Sequence, residues 1–352
     1  MTTRRFRRIL MVAPRFKPAI GGVEKHVASI VDILARKGME TTILTRSHEK
    51  GLRSYEKRDN EIIVRIPFEL NNNPILTYLW ILWNRKKLTN FDIIHVHDTM
   101  PLLTWYLPIV ILKCTQPVFM TFHGFEADPI PIIFKLLRKV ARKLASRAIC
   151  IGSFIEKMYN IKCEKCSIGA TSQVGVTNQE REGLSFVGRL EHDTGILTHL
   201  RVLELLDTEC GIRTHLTACG DGSLAVEIRK TTSEKKLDAR LLGIVPNPKE
   251  FVNRSKVYLA GGYLSIIDAM SLGVPVIAFA QTNLKYQYYK SVLQAGGLIS
   301  IQTTASGIAL QIKRLIENPN LYQRISNEGK RFANNLTWEL LTSKYFELWN
   351  DS

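Results

Sequence analysis

Apolar residues along this 352-residue chain come in short, β-branched runs that alternate with longer stretches of helical period. Such alternation predicts βαβ units and parallel sheets. In the first half, residues 9–13, 41–45, 62–66, 93–96, 118–122 and 148–151 read as strands. Between the first two, Val27, Ile30, Val31 and Leu34 share one helical face over 23–36, with Gly38 as the stop. Periodicity lapses over 168–182, where Gly, Ser, Thr, Gln and Asn replace apolar residues. It then restarts, with strands at 184–187, 214–219, 239–242 and 257–259 and helices at 195–208, 223–231 and 248–254. A glycine turn, a short amphipathic helix, the stop Gly273 and a strand at 274–278 follow, and an amphipathic helix closes the chain.

The lapse places a domain boundary, giving two doubly wound α/β domains over 1–172 and 173–334. Doubly wound sheets bind ligands outside the carboxyl ends of their strands. Set face to face, those ends form a cleft, and function is expected in loops 14–24, 97–101, 123–128, 188–195, 220–223, 243–246 and 260–265.

Composition narrows the classes. A hydrophobic content of 45% suits a soluble globular chain. The apolar stretches 75–83 and 101–112 fall short of the roughly 20 residues that span a bilayer. The basic start is followed by a run too brief for a secretory signal. Six scattered cysteines fit reduced thiols in the cytoplasm. Cys163 and Cys166 have metal-like spacing but no second pair at zinc-finger distance.

The formal charge of +16 changes the picture because it is uneven. Residues 1–180 hold 28 of the 48 Lys and Arg but 15 of the 32 Asp and Glu, a balance of +13 against +3 for the rest. A basic half points to an anionic partner. No zinc finger, RNP signature or basic zipper supports a nucleic acid. Basic residues instead flank Trp-bearing and apolar segments at 77–87 and 130–144. Such segments read either as interfacial helices on a membrane or as core-facing helices with a solvated basic face.

The post-strand loops carry the candidate chemistry. Gly21-Gly22 before a helix start lets backbone approach an anion. His123, at a strand's end beside Gly124, can bond a sugar hydroxyl or a phosphate. His97 points to the same strand end, and His95 is packed. Neither reads as a metal ligand, because no third ligand is in view. Gly188-Arg189 leaves a strand with a fork suited to a diphosphate or a structural salt bridge. Gly220-Asp221-Gly222 is a tight turn whose aspartate can cap the next helix, as can Asp193. Gly261 and Gly262 begin a helix able to receive a diphosphate, with Ser265 in its first turn, and Asp268 can accept from ribose hydroxyls.

Read in order, G-G-V-E-K-H (21–26), D-I-I-H-V-H-D (92–98), T-F-H-G (121–124), F-V-G-R-L (186–190), C-G-D-G-S-L (219–224), G-I-V-P (243–246), I-I-D-A-M-S-L-G-V-P-V-I-A (266–278) and T-W-E (337–339) resemble the ordered motifs of family 4 glycosyltransferases. The resemblance spans nearly the whole chain. It implies a GT-B fold whose terminal helix, about 335–352, crosses back to the first domain. It implies a retaining transfer from a nucleotide-diphosphate sugar, with no cofactor and no metal. The first domain would take the acceptor, expected to be a lipid-linked or cell-surface glycan precursor at the inner face of the membrane. Carried over by motif, Gly21 and Gly22 fall near phosphates and acceptor, His123 near the donor sugar, Arg189 on the diphosphate and Asp268 on the ribose. Two positions depart from the pattern. The first of the family's paired glutamates falls at Ala260, and its lysine falls at Thr194. A rebuilt donor site, a different donor and a catalytically inactive binding or scaffold protein are the three explanations.

Overall fold

The computed structural model describes residues 7–71, 73–107, 116–123, 129–172, 180–292 and 298–350. The chain divides into two compact units, Met1–Ile168 with Trp338–Ser352 (unit 1) and Gly169–Thr337 (unit 2).

Unit 1 is built on eight strands, β1 (Arg8–Val12), β2 (Glu40–Arg46), β3 (Tyr55–Arg58), β4 (Glu61–Ile66), β5 (Ile93–His97), β6 (Val118–Phe122), β7 (Arg147–Ile151) and β8 (Lys165–Ser167). Their order in the sheet is β3-β4-β2-β1-β5-β6-β7-β8. All pairs are parallel except β3 with β4. Ile9 through Val12 are wholly buried, as expected of a central parallel strand covered on both faces. The hairpin strand β3, Y-E-K-R, lies at the sheet's edge and is polar, so no apolar pattern announces it. Helices α1 (Gly22–Arg36), α2 (Pro74–Trp83), α3 (Ile132–Leu144) and α4 (Phe154–Tyr159) accompany these strands.

Unit 2 has six parallel strands, β9 (Leu184–Val187), β10 (Leu216–Cys219), β11 (Ala239–Gly243), β12 (Val257–Ala260), β13 (Val276–Phe279) and β14 (Ile299–Gln302). They are ordered β11-β10-β9-β12-β13-β14. Its helices are α5 (Ile196–Thr208), α6 (Ala225–Glu234), α7 (Pro248–Arg254), α8 (Tyr263–Ser271), α9 (Asn283–Val292), α10 (Ala305–Glu317) and α11 (Pro319–Asn334). The last helix, α12 (Trp338–Asn350), belongs to unit 1 and packs on α1 and β8.

Both sheets reverse strand order once, between β1 and β5 and between β9 and β12. In doubly wound sheets that reversal marks the ligand crevice. The loops after those four strands carry Gly21–Gly22, Asp98, Gly188–Arg189 and Gly261–Gly262.

Two apolar helices of unit 1 each expose an apolar stripe. On α3, Ile132, Leu136, Val140 and Leu144 form a stripe at i, i+4 spacing that faces outward, with Ile132 75% exposed. Arg138 takes the buried side, its guanidinium 4.1 Å from the Tyr159 ring centroid. On α2, Ile75, Leu79 and Trp83 are exposed at the same spacing, Trp83 at 86%. On α3 the apolar stripe is thus exposed and Arg138 is buried, the reverse of the burial expected of a core-facing helix. Among the described residues, no helix is long and apolar enough to cross a membrane.

Candidate functional site

The candidate residues of unit 2 gather around the β9–β12 reversal. Arg189 leaves β9 and pairs with Asp193 (Nη2 to Oδ2, 2.9 Å), its side chain largely exposed. Asp193 does not cap a helix, since α5 begins after Gly195 with no side-chain cap. Thr194 is buried and turns its hydroxyl onto the Glu191 carbonyl at 2.7 Å. Lys285 of α9 is buried beside the same loop. Burial lowers its pKa to about 8, with Asp193 opposing and Arg189 adding to the shift.

The glycine loops are packed against one another. Gly220 has φ +143°, and a Cβ there would meet the Gly188 carbonyl oxygen at 1.8 Å. A Cβ on Gly261 would meet Phe186 and the Val187 carbonyl at 3.0 Å. Close approach to the end of β9 thus accounts for Gly220 and Gly261. Glu191 ties the same loops together by accepting from Ser223 N (2.9 Å) and Ser223 Oγ (2.6 Å). Asp221 does not cap the next helix: α6 has Leu224 at its N-cap, and Asp221 Oδ1 accepts from Gly222 N at 2.8 Å.

At the start of α8, the N–H of Tyr263 donates to the Tyr288 hydroxyl (2.8 Å) and the two rings stack with centroids 3.8 Å apart. Ala260 is fully buried, and Tyr289 donates to its carbonyl at 3.3 Å. Ser265 Oγ donates to Gly262 O at 2.9 Å. Asp268 is engaged from within the unit, by Lys249 Nζ at 2.8 Å and by the Thr171 hydroxyl at 2.5 Å.

In unit 1 the strand-end groups are imidazoles. His97 Nδ1 and His123 Nε2 share a hydrogen bond of 3.0 Å. His26, one turn into α1, meets His123 edge-on with centroids 4.7 Å apart. Its Nε2 bonds the Tyr345 hydroxyl of α12 at 2.8 Å. That hydroxyl also bonds Thr121 Oγ1 (2.7 Å), which bonds His95 Nε2 (2.7 Å), and Trp349 Nε1 donates to His95 Nδ1 (3.0 Å). Asp98 accepts from His123 N at 2.9 Å. Burial holds all four imidazoles below the usual histidine range, His123 at about 3 with Arg138 adding to the shift. Ring nitrogens of His26, His97 and His123 lie within 4.8 Å of one another, so α1 supplies the third imidazole missing from the sequence argument. Near β8, Cys150 sits opposite Cys166 across the β7–β8 pairing, also unforeseen.

Comparison with known proteins settles the class. Residues 20–160 match the description Glycosyltransferase Family 4, and residues 169–332 match Glycosyl transferases group 1. The chain belongs to the group 1 glycosyltransferases. It is 23% identical over 345 residues to an uncharacterized glycosyltransferase of Methanocaldococcus jannaschii, covering 92% of this chain and 93% of that one. It is 20% identical over 228 residues to the Campylobacter jejuni GalNAc-alpha-(1->4)-GalNAc-alpha-(1->3)-diNAcBac-PP-undecaprenol alpha-1,4-N-acetyl-D-galactosaminyltransferase, covering 61% of this chain and 63% of the relative. The fold matches sucrose-phosphate synthase from Thermosynechococcus elongatus with a TM-score of 0.75, at 15% identity and 98% coverage of both chains. It matches TarM with a TM-score of 0.72, at 12% identity, over 99% of this chain and 100% of that one. This is the GT-B architecture of two parallel-sheet, Rossmann-like domains.

Within the transferase, the sequence-expected residues fall into two sets. Arg189, Gly188, Gly220, Asp221, Gly261, Gly262, Ser265 and Asp268 lie in unit 2, and Gly21, Gly22 and His123 in unit 1. A Cβ on Gly22 would meet no described atom within 4 Å, which leaves its backbone approachable. Gly124 and the rest of the expected 124–128 loop lie outside the described residues, as does 173–179 of the expected boundary. Lys285, Tyr288 and His26 were missed. Lys285 and Tyr288 sit in N-L-K-Y-Q-Y-Y-K, which carries no motif. His26 had a signal, its place in G-G-V-E-K-H.

Proposed function

We propose that this glycosyltransferase moves a hexose-type sugar from a nucleotide-diphosphate donor onto a lipid-linked glycan precursor at the inner face of the cell membrane. Anomeric configuration is retained, and no metal ion takes part. Unit 2 takes the nucleotide, with Arg189 on the diphosphate and Asp268 toward the ribose; unit 1 takes the acceptor, with His123 bonding a sugar hydroxyl. The observation that carries the membrane-borne acceptor is the outward stripe Ile132, Leu136, Val140 and Leu144 on α3. Lys135, Lys139 and Lys143 on the same helix favour an anionic surface. The Campylobacter relative's undecaprenol-linked acceptor supports the same class.

The test pairs purified protein with a panel of nucleotide sugars and membrane lipid extract. Transfer is expected with one donor, unchanged by a chelator. Arg189→Ala should weaken nucleotide binding by about 10- to 100-fold, the loss of a charge-assisted contact. Flotation with anionic vesicles at low salt should carry the protein, and Leu136→Ser with Val140→Ser should release it. No flotation of the native chain would end the membrane reading. A second reading, a non-catalytic GT-B binding protein, is favoured by one observation: the Tyr288 hydroxyl occupies the Tyr263 N–H where α8 would receive its ligand. Nucleotide binding without any turnover across the panel would select it.

A further inference from the structure

A diphosphate carries at least two negative charges, and Arg189 does not balance them. It is already paired with Asp193, and that pair is close to neutral. A second cation is brought to this point by α9. Lys285 is 6% exposed, and its ammonium lies 5.2 Å from the Tyr288 ring centroid and 5.5 Å from that of Tyr289. The segment leading into α9, from the end of β13, is strapped to the loop after β9 at two points. Gln281 Nε2 donates to His192 O at 3.0 Å, and Phe279 fills the space where a Cβ on Gly195 would stand. Lys285 therefore feels both Asp193 and Arg189.

Placing a lysine in a dry pocket beside an arginine is unfavourable by itself, through desolvation and like-charge repulsion. Two aromatic faces recover part of that cost. A dianion at Arg189 would reverse the sign of the remaining term, since both cations would then face opposite charge.

We propose that Lys285 is the second cation of the donor-diphosphate subsite, holding one phosphate while Arg189 holds the other. The inference rests on the donor reading given above. It makes α9 part of the nucleotide site, with Tyr288 and Tyr289 as the aromatic wall that orients the ammonium.

The same burial predicts a proton signature. Lys285 has a pKa of about 8 in the free protein. A bound dianion favours the charged form, so at pH 8 binding takes up about half a proton. The groups facing Lys285 are Asp193 and Arg189 from the loop after β9, Tyr288 and Tyr289 on its own helix, and Tyr263 of α8 through its stack on Tyr288. Burial raises Tyr288 and Tyr289 well out of this range.

Titration calorimetry of the full chain with uridine and guanosine diphosphates, at pH 8 in two buffers of different ionisation enthalpy, tests the proposal. The native protein should bind one of them with uptake of about half a proton. Lys285→Met should bind about 10- to 100-fold more weakly with no uptake. Lys285→Arg should restore most of the affinity, also without uptake. Unchanged affinity in Lys285→Met, with Arg189→Ala weakened, overturns Lys285's role and leaves the donor reading standing. If the native protein binds neither diphosphate, both fall. Should Lys285→Met fail to fold, absence of proton uptake by the native protein overturns the proposal.

Discussion

Two clusters at strand ends, one in each unit, are built from opposite materials. In unit 1 the groups are four buried imidazoles, a tyrosine, a threonine and a tryptophan, joined by hydrogen bonds and held neutral by burial. In unit 2 they are a guanidinium, a carboxylate and an ammonium, with a second ion pair, Lys249–Asp268, close to the same helix. A neutral, hydrogen-bonded cluster suits hydroxyl groups, which need donors and acceptors but no charge. A cluster with surplus positive charge suits a diphosphate. The two domains share a topology and differ in what they put at its reversal point, which is where a shared fold acquires separate tasks.

Acid should break the comparison first and hardest. A histidine whose pKa falls on folding takes up its proton more readily in the unfolded chain. Its full stability is present above the unfolded pKa near 6.5 and drains as pH falls toward the folded value. For His123, at about 3 in the fold, the loss at pH 5 is about 2 kcal/mol. His26, His95 and His97 are shifted in the same direction in unit 1. Unit 2 has one such group, His199, also at about 3. Unit 1 should therefore unfold at higher pH than unit 2. All five tryptophans lie in unit 1, so their fluorescence reports it alone, while far-ultraviolet dichroism reports both. The fluorescence midpoint should come at the higher pH; coincident midpoints would remove the contrast.

Sequence pattern served the two clusters unequally. Strands such as 118–122 and 184–187 were legible to the residue, because a central parallel strand is mostly apolar on both faces. Arg189 and His123 were legible because each directly follows such a strand. The edge strand β3 was not, since a polar edge has no apolar face to display. Nor was the imidazole cluster, which joins residues 26, 97, 123 and 345 from four elements far apart in sequence. The Asp193 and Asp221 caps failed because side chains with several partners in reach took others: Asp193 took Arg189, and Asp221 took the next backbone N–H. The glycine turns were read for ligand approach, and the fold also needs them for their own packing.

A smaller effect separates structure from recognition within the charged cluster. Lys249 and Asp268 are paired with side chains only 12% and 10% exposed. Asp268→Ala leaves the ammonium buried without its carboxylate, and unit 2 should lose about 3 kcal/mol. Asp268→Asn keeps an acceptor for the Thr171 hydroxyl and should cost less. Thermal unfolding followed by dichroism measures both. An unchanged midpoint for Asp268→Ala would show that the pair adds no stability and would leave ribose binding as the aspartate's main task.

The finest probe of the neutral cluster is the Tyr345 hydroxyl, which sits 2.8 Å from His26 Nε2 and 2.7 Å from Thr121 Oγ1. Tyr345→Phe removes one oxygen, keeps the ring against His95 and opens no large cavity. What it takes away is the bond from α12 to His26 of α1 and to Thr121 of β6, while the bond from Trp349 to His95 stays. The two groups left behind are buried, so each forfeits a partner that water cannot replace, and the expected loss is about 1–2 kcal/mol. Tryptophan fluorescence during thermal unfolding should shift by a few degrees, because a cost of that size moves a domain of this length by about that much. Nucleotide affinity should stay at the native value, since both side chains proposed to hold the diphosphate, Arg189 and Lys285, belong to unit 2. A fall in nucleotide affinity as large as that of Arg189→Ala would mean that the two clusters do not act separately, and the division of labour between neutral and charged strand ends would have to be given up.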